Sequence, residues 1–197
     1  MGIQASCHLT PDGKIRGPHE VHGEDIPHET VVDPKIQTGA MCAYCHSMGK
    51  RVPGKQTQTF LEWRDDFHNQ KLGSQQCQEC HMPRTLRKTA EDFDVPVRPV
   101  ARHLWTGGHS PQRVRSALSL VAVQPKEGKS DVEIHVINVG AGHSVPSGSN
   151  RRGIYLTADV VDQKGKTVAS REWLFAPWFA DRPDDKAFLG KRGQVSV

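Results

Sequence analysis

From Leu118 onward the chain alternates apolar and polar positions; before it, the alternation is absent. Leu118, Leu120 and Ala122 fall on one side of a predicted strand, and Val132, Ile134 and Val136 on one side of the next. The clearest run is Ile154, Leu156, Ala158 and Val160, with Tyr155, Thr157 and Asp159 facing the other way. Val168, Ser170, Glu172 and Leu174 fit a fourth strand. Asp162-Gln163-Lys164-Gly165 reads as the hairpin loop between the last two, and Lys126-Glu127-Gly128-Lys129 joins the first two. Strands at this spacing predict an antiparallel sheet or sandwich. Four strands are few for a closed sandwich, and Gln194-Val195-Ser196-Val197 reads as a fifth strand beginning. The β domain is therefore expected to be incomplete.

The first part of the chain is rich in glycine, proline and turn residues, which predicts loops and short helices. One helix is well signalled. Thr59-Phe60-Leu61-Glu62 reads as a capping box, with Thr59 at the N-cap and Glu62 three positions on. Phe60, Trp63 and Phe67 then share a face, with His68 beside them. Ser110-Pro111 starts a second, brief helix that ends by Ser116, with Ser as N-cap and Pro in the first helical position. The expected organisation is α+β: a loop-rich, mainly helical domain over residues 1–113 and an antiparallel β domain over residues 114–197.

All five cysteines and nine of the eleven histidines fall before residue 113. Four of the cysteines lie in two copies of one motif, Cys42-Ala43-Tyr44-Cys45-His46 and Cys77-Gln78-Glu79-Cys80-His81. C-x-x-C-H is the attachment signature of c-type haem. Two thiols three positions apart reach the vinyl groups on one porphyrin edge, and the following histidine binds iron from the proximal side. Two C-x-x-C pairs alone could also hold structural zinc. The separation of the pairs exceeds the usual ribbon spacing, and four thiolates leave zinc no use for His46 or His81. Structural disulfides fit worse, because five is an odd number and cysteines three positions apart make poor bridges. A thioredoxin-like site would need a strand before the motif, and neither Gln37-Thr38-Gly39-Ala40 nor Gly73-Ser74-Gln75-Gln76 supplies one. The fifth cysteine ends Gln4-Ala5-Ser6-Cys7-His8, which reads as a third motif with Gln4 in place of its first cysteine. Four readings of Cys7 and His8 stand side by side: a motif broken by a misplaced start or a fragmentary chain, a motif that has lost a residue, a third haem held by one thioether, and a surface Cys-His pair at a frayed terminus.

Composition supports a cofactor-built interior. Apolar residues make up 36% of the chain and the mean hydropathy is −0.59. Both are low for a chain of 197 residues that buries a conventional core; a porphyrin is a large apolar body that side chains can wrap. The net charge of +4 comes from dispersed Lys and Arg, which suit a solvated surface and pairing with haem propionates. No nucleic-acid motif is present. No apolar run reaches the length of a membrane span, and no leader is visible. Haem attachment of this kind occurs outside the bacterial cytoplasmic membrane. The expectation is a periplasmic or extracellular protein, met here as a processed chain or as part of a longer one.

The distal iron ligands must come from elsewhere. Beyond His8, His46 and His81, eight histidines remain: His19, His22, His28, His68, His103, His109, His135 and His143. Two histidines per iron give a low-spin centre suited to electron transfer, whereas an open sixth position permits catalysis. His68 follows an aromatic face. His135 alternates with Ile134 and Val136 and is expected to face solvent. His143 lies in the glycine-rich turn Gly140-Ala141-Gly142-His143-Ser144-Val145-Pro146-Ser147-Gly148, whose backbone freedom lets the imidazole project.

Several segments resemble multihaem c-type cytochromes. The run Phe60-Leu61-Glu62-Trp63-Arg64, then His68, then Cys77-Gln78-Glu79-Cys80-His81-Met82-Pro83 is similar to an E-W segment preceding a C-Q-x-C-H-M-P site in that family. Arg102-His103-Leu104-Trp105-Thr106-Gly107-Gly108-His109 resembles the R-H-x-F-x-G-G-H segment that follows it. Asn138 to His143, with Pro146, Gly148, Arg151 and Arg152, is similar to a turn of a β domain that some of these cytochromes carry after their haems. Ile26-Pro27-His28 resembles an S-P-x-H segment. The resemblance implies His28, His68, His103 and His143 as distal ligands, with His109 in the same segment as His103. It also implies four or more haems in such proteins, and related arrangements serve nitrite, hydroxylamine or other anaerobic respiratory chemistry. This chain departs in having two complete motifs and a broken first one.

The expected function is electron carriage between redox partners, other cytochromes among them, through bis-histidine haem c groups. The alternatives are a reductase subunit with an open catalytic haem and a zinc-binding module.

Overall fold

Short elements dominate, because few stretches of this chain carry enough apolar side chains to sustain a long one. The computed structural model describes residues 8–20, 28–47, 58–89, 92–104, 106–123, 127, 132–149 and 152–176. The fold is α+β, with few helices and several small sheets. In chain order the elements are β1 (Ile15–Gly17), β2 (Thr30–Val32), a 3₁₀ turn (Pro34–Gln37) and α1 (Gly39–His46). Then come α2 (Thr59–Glu62), a π-helical turn (Trp63–His68) and α3 (Cys77–His81). These are followed by β3 (Arg84–Arg87), β4 (Arg98–Ala101), α4 (Pro111–Ala117), β5 (Leu118–Val123), β6 (Glu133–Asn138), β7 (Ile154–Val161) and β8 (Thr167–Phe175).

Internal contacts divide the chain into two units. The first takes Met1–Cys45 and Gly73–Val114, and the second takes His46–Leu72 and Arg115–Val197. In the first unit β1 and β2 pair in parallel, with Ile15 opposite Thr30. Arg16 and Asp33 form an ion pair at 3.1 Å beside them. β3 and β4 pair antiparallel, with Arg84 opposite Ala101 and Arg87 opposite Arg98. None of these strands is anticipated by the alternation argument. At three or four residues each, and with Pro99 inside β4, they are too short to show a period.

The second unit contains the four predicted strands. They form two separate antiparallel hairpins, β5–β6 and β7–β8, among the described residues, rather than one sheet. Alternation governs β7, where Ile154, Leu156 and Ala158 are half-buried and Tyr155, Thr157 and Asp159 are exposed. It fails in β5, where every residue from Leu120 on is exposed. The predicted loop at Asp162–Gly165 closes the β7–β8 hairpin. Asp162 N–H donates to the Lys166 carbonyl at 2.9 Å, and Gly165 N–H to the Asp162 carbonyl at 2.9 Å. The Asp162 carboxylate accepts from the N–H groups of Lys164 and Lys166, the turn role for which Asp is favoured. Gly165 sits at φ +78°, the left-handed region that glycine enters without strain.

The predicted capping box at Thr59 is not formed. Gln58 is the N-cap, and Thr59 is the first helical residue. Both side chains of the expected box are engaged by a serine remote in sequence. Ser147 Oγ donates to Glu62 Oε2 at 2.6 Å. Ser147 has one hydroxyl proton, so the 2.7 Å contact with Thr59 Oγ1 has threonine as donor. The predicted helix at Ser110 forms over Pro111–Ala117, with Arg113 N–H reaching Ser110 Oγ at 3.4 Å.

The conventional core is small. Among the described residues the buried apolar side chains are Trp63, Leu174, Ala176 and Pro146, and no large side chain is fully buried. Leu86, Leu72 and Val97 stand 74%, 61% and 60% exposed. A chain of about 200 residues ordinarily buries about 70% of the surface its unfolded form exposes. No helix among the described residues is long and apolar enough to cross a membrane.

Candidate haem-binding site

Each C-x-x-C-H motif lies on a short helix, and helix geometry supplies the needed spacing. Side chains three positions apart share a helix face. On α1 this aligns Cys42 with Cys45, and on α3 Cys77 with Cys80; all four are half-buried free thiols. His46 and His81 end their helices. His81 is half-buried, and its carbonyl accepts from Thr106 Oγ1 at 2.6 Å.

α3 is only five residues long, so its start must be held from outside the helix ladder. Gln76 caps it. The Gln76 side chain accepts from the backbone of Glu79, and Gln76 N–H donates to Glu79 Oε2 at 2.5 Å. This reciprocal box was not foreseen, because glutamine is a weak N-cap signal beside serine or threonine.

The N-terminal ends of the two motif helices are joined directly. Gly39 N–H, at the first position of α1, donates to Gln76 Oε1 at 2.8 Å. Gln78 Nε2 donates to the carbonyls of Thr38 at 2.7 Å and Ile36 at 3.1 Å. With the helices so placed, the Cys42 and Cys77 side chains interact. That interaction, with burial adding to it, holds the Cys42 thiol far above its ordinary range. The same interaction lowers the pKa of Cys77, with burial opposing.

The second unit carries two of the candidate distal ligands. His68 ends the π-helical turn and stacks on Trp63, with ring centroids 4.7 Å apart and planes 22° from parallel. Trp63 is 8% exposed and also meets Phe60 at 5.7 Å. At 3.6 residues per turn, positions five apart would point about 140° away from each other. The wider π turn brings Trp63 and His68 onto one side, and such turns are frequent at functional sites.

His143 is half-buried, and its Nδ1 lies 2.9 Å from the Ser144 carbonyl. A carbonyl only accepts, so Nδ1 carries the proton and the ring lone pair lies on Nε2. Asn138 holds the turn open on both sides. Its Nδ2 donates to the His143 carbonyl at 2.9 Å, and its Oδ1 accepts from Ala141 N–H at 3.0 Å. The turn packs on the π-helical segment. A Cβ on Gly142 would stand 3.0 Å from Phe67 Cδ1, and one on Gly140 would stand 2.0 Å from the Ser116 carbonyl oxygen. The glycines allow the turn to approach Phe67 and Ser116 closely. Phe67 and Gly142 are in contact, and each directly precedes a candidate ligand, His68 and His143.

His8 is exposed, and Cys7 falls outside the described residues. His28, His103 and His109 are exposed on segments of the first unit. His135 is exposed on β6 and lies 3.1 Å from Glu133. Among the described residues no three His, Cys, Asp or Glu side chains converge on a common metal position.

The residues present fit haem c. Each motif offers two thiols on one helix face and an adjoining imidazole, and the exposed apolar side chains offer surface that a porphyrin can cover.

Residues 41–81 match the family model described as the Geobacter CxxxxCH...CXXCH motif. The chain differs from that description in its first motif, where two residues rather than four separate Cys42 from Cys45. No curated protein matches the chain. Among solved structures it is similar to a penta-heme cytochrome c552 from Thermochromatium tepidum, at a TM-score of 0.54 and 20% identity. That likeness covers 84% of this chain and 50% of the cytochrome, so the chain spans half the length of that protein.

Proposed function

We propose that this chain is a multihaem c-type cytochrome that holds haem c and carries electrons between redox partner proteins outside the cytoplasm; the motif match over residues 41–81 and the likeness to a penta-heme cytochrome support this. The observation that carries the reading is the pair of C-x-x-C-H helices joined at their N-terminal ends, with Cys42 and Cys77 in contact. Haems attached at two sites so close would be near enough for an electron to pass from one to the other.

Haem c supplies an iron that cycles between Fe(II) and Fe(III). The chain's own residues set how it is held. Cys42 with Cys45, and Cys77 with Cys80, would tether two haems covalently, and His46 and His81 would bind their irons. His68 and His143 would supply the second imidazoles, with His28, His103 and His109 as further ligands and Cys7 with His8 for a third group. Trp63 fixes the plane of the His68 ring by stacking. The Ser144 carbonyl fixes the His143 tautomer, the usual outer-shell support of a metal-binding imidazole. Two imidazoles on each iron would leave small ligands no place to bind, which would favour transfer over catalysis. Extracytoplasmic location follows from where covalent haem attachment takes place.

Absorbance spectroscopy of the isolated protein tests this reading. A low-spin spectrum unchanged by nitrite or carbon monoxide is expected. A high-spin component that binds either would show an open haem and favour the reductase alternative, and a colourless protein containing zinc would remove the cytochrome reading altogether.

A further inference from the structure

Gln76 and Gln78 flank the first cysteine of the second motif, and neither belongs to the attachment signature. Each nevertheless reaches across to the first motif. Gln76 Oε1 accepts from Gly39 N–H, the opening residue of α1, while also capping its own helix. Gln78 Nε2 donates to two carbonyls, Ile36 and Thr38, on the segment leading into α1. Both partners of Gln78 are acceptors, which fixes the amide with its nitrogen toward α1. The bridge holds together the first cysteines of the two motifs, Cys42 and Cys77, whose side chains interact.

We propose that Gln76 and Gln78 are positioning residues that lock the two attachment helices N-terminus to N-terminus and thereby set the electronic coupling between the two haems. This rests on the cytochrome reading above. Gln78 contributes through its donors, which only an amide of this length supplies. Gln76 contributes through its acceptor, which a carboxylate can replace; the only donor bond lost is the local one from Gln76 Nε2 to the Ser74 carbonyl, 3.2 Å long. The isosteric change from Gln to Glu therefore has opposite effects at two positions only two residues apart. Gln78→Glu puts a carboxylate against two carbonyls and breaks the bridge. Gln76→Glu keeps the bond from Gly39 N–H and adds a negative charge at a helix N-terminus, where it is favourable.

The test is circular dichroism of the Soret band in the haem-loaded protein, where two coupled haems give a paired positive and negative feature. The signal is taken per bound haem, with haem content measured as the pyridine complex. Wild type and Gln76→Glu are expected to show the same couplet, and Gln78→Glu to lose most of it while keeping its low-spin absorbance. Gln78→Asn, which keeps the amide but cannot span the gap, is expected to lose it too and serves if the Glu variant attaches no haem. A couplet unchanged in the Gln78 variants, an equal loss in Gln76→Glu, or a haem-loaded wild type with no couplet would overturn the proposal. Each of these leaves the cytochrome reading standing, whereas a wild type with no covalent haem would overturn that reading itself.

Discussion

The imidazole of His68 lies against the indole of Trp63, 4.7 Å between ring centroids and 22° from parallel. The stack exists because the chain takes a π turn from Trp63 to His68. Trp63 is anchored by burial, so it acts as the rigid partner, and the exposed His68 ring takes its orientation from it.

His68→Ala should therefore open one haem and produce a high-spin species that binds carbon monoxide. Absorbance before and after exposure to the gas is the check. An unchanged low-spin spectrum would remove His68 from the ligands.

Trp63→Ala should do two things at once. Removing a buried tryptophan costs about 3–5 kcal/mol of stability, to be read from denaturant unfolding of the haem-loaded protein. The freed imidazole should also change its plane, which electron paramagnetic resonance of the ferric protein reports as shifted g values. A stable variant with unaltered g values would show that the stack does not orient His68.

Ser147→Ala removes the hydroxyl that links Thr59 to Glu62. Hydrogen bonds to charged groups are worth about 1.5–3 kcal/mol, and a loss of about that size is expected. Thr59→Val should cost less, because Ser147 can still donate to the Glu62 carboxylate. Equal losses from the two variants would contradict the assigned proton direction.

Gly140→Ala would place a methyl 2.0 Å from the Ser116 carbonyl oxygen, while the same change at Gly107 meets nothing within 4 Å. Overpacking of this kind costs about 1–3 kcal/mol. The Gly140 variant should unfold at lower denaturant concentration than wild type, and the Gly107 variant should stay close to wild type. Comparable shifts in both would contradict the packing described for the His143 turn.

The sequence made some of these features legible and hid others. The haem motifs could be read because covalent attachment demands fixed residue types at fixed spacing. β7, β8 and their loop could be read because Ile154, Leu156 and Ala158 alternate over enough residues, and because Asp162 and Gly165 are turn residues with specific roles. β1 to β4 could not, being too short to show a period. The π turn was hidden because Phe60, Trp63 and Phe67 fit an ordinary helix face equally well. The link from Ser147 to Thr59 and Glu62 is long-range, and it turned the sequence signature of a capping box to another use. Gln76 and Gln78 carried one available signal: long amides on both sides of Cys77, at the start of a helix too short to hold itself.

Covalent haem at both motifs is what every ligand and coupling assignment above requires. Intact-mass measurement after acid-acetone extraction addresses it, because extraction strips haem held only through iron. The expected result is a mass exceeding that of the polypeptide by at least two haems, with one lost when Cys42 and Cys45 are both replaced by alanine and one lost when Cys77 and Cys80 are. A mass equal to the bare polypeptide after extraction would contradict it.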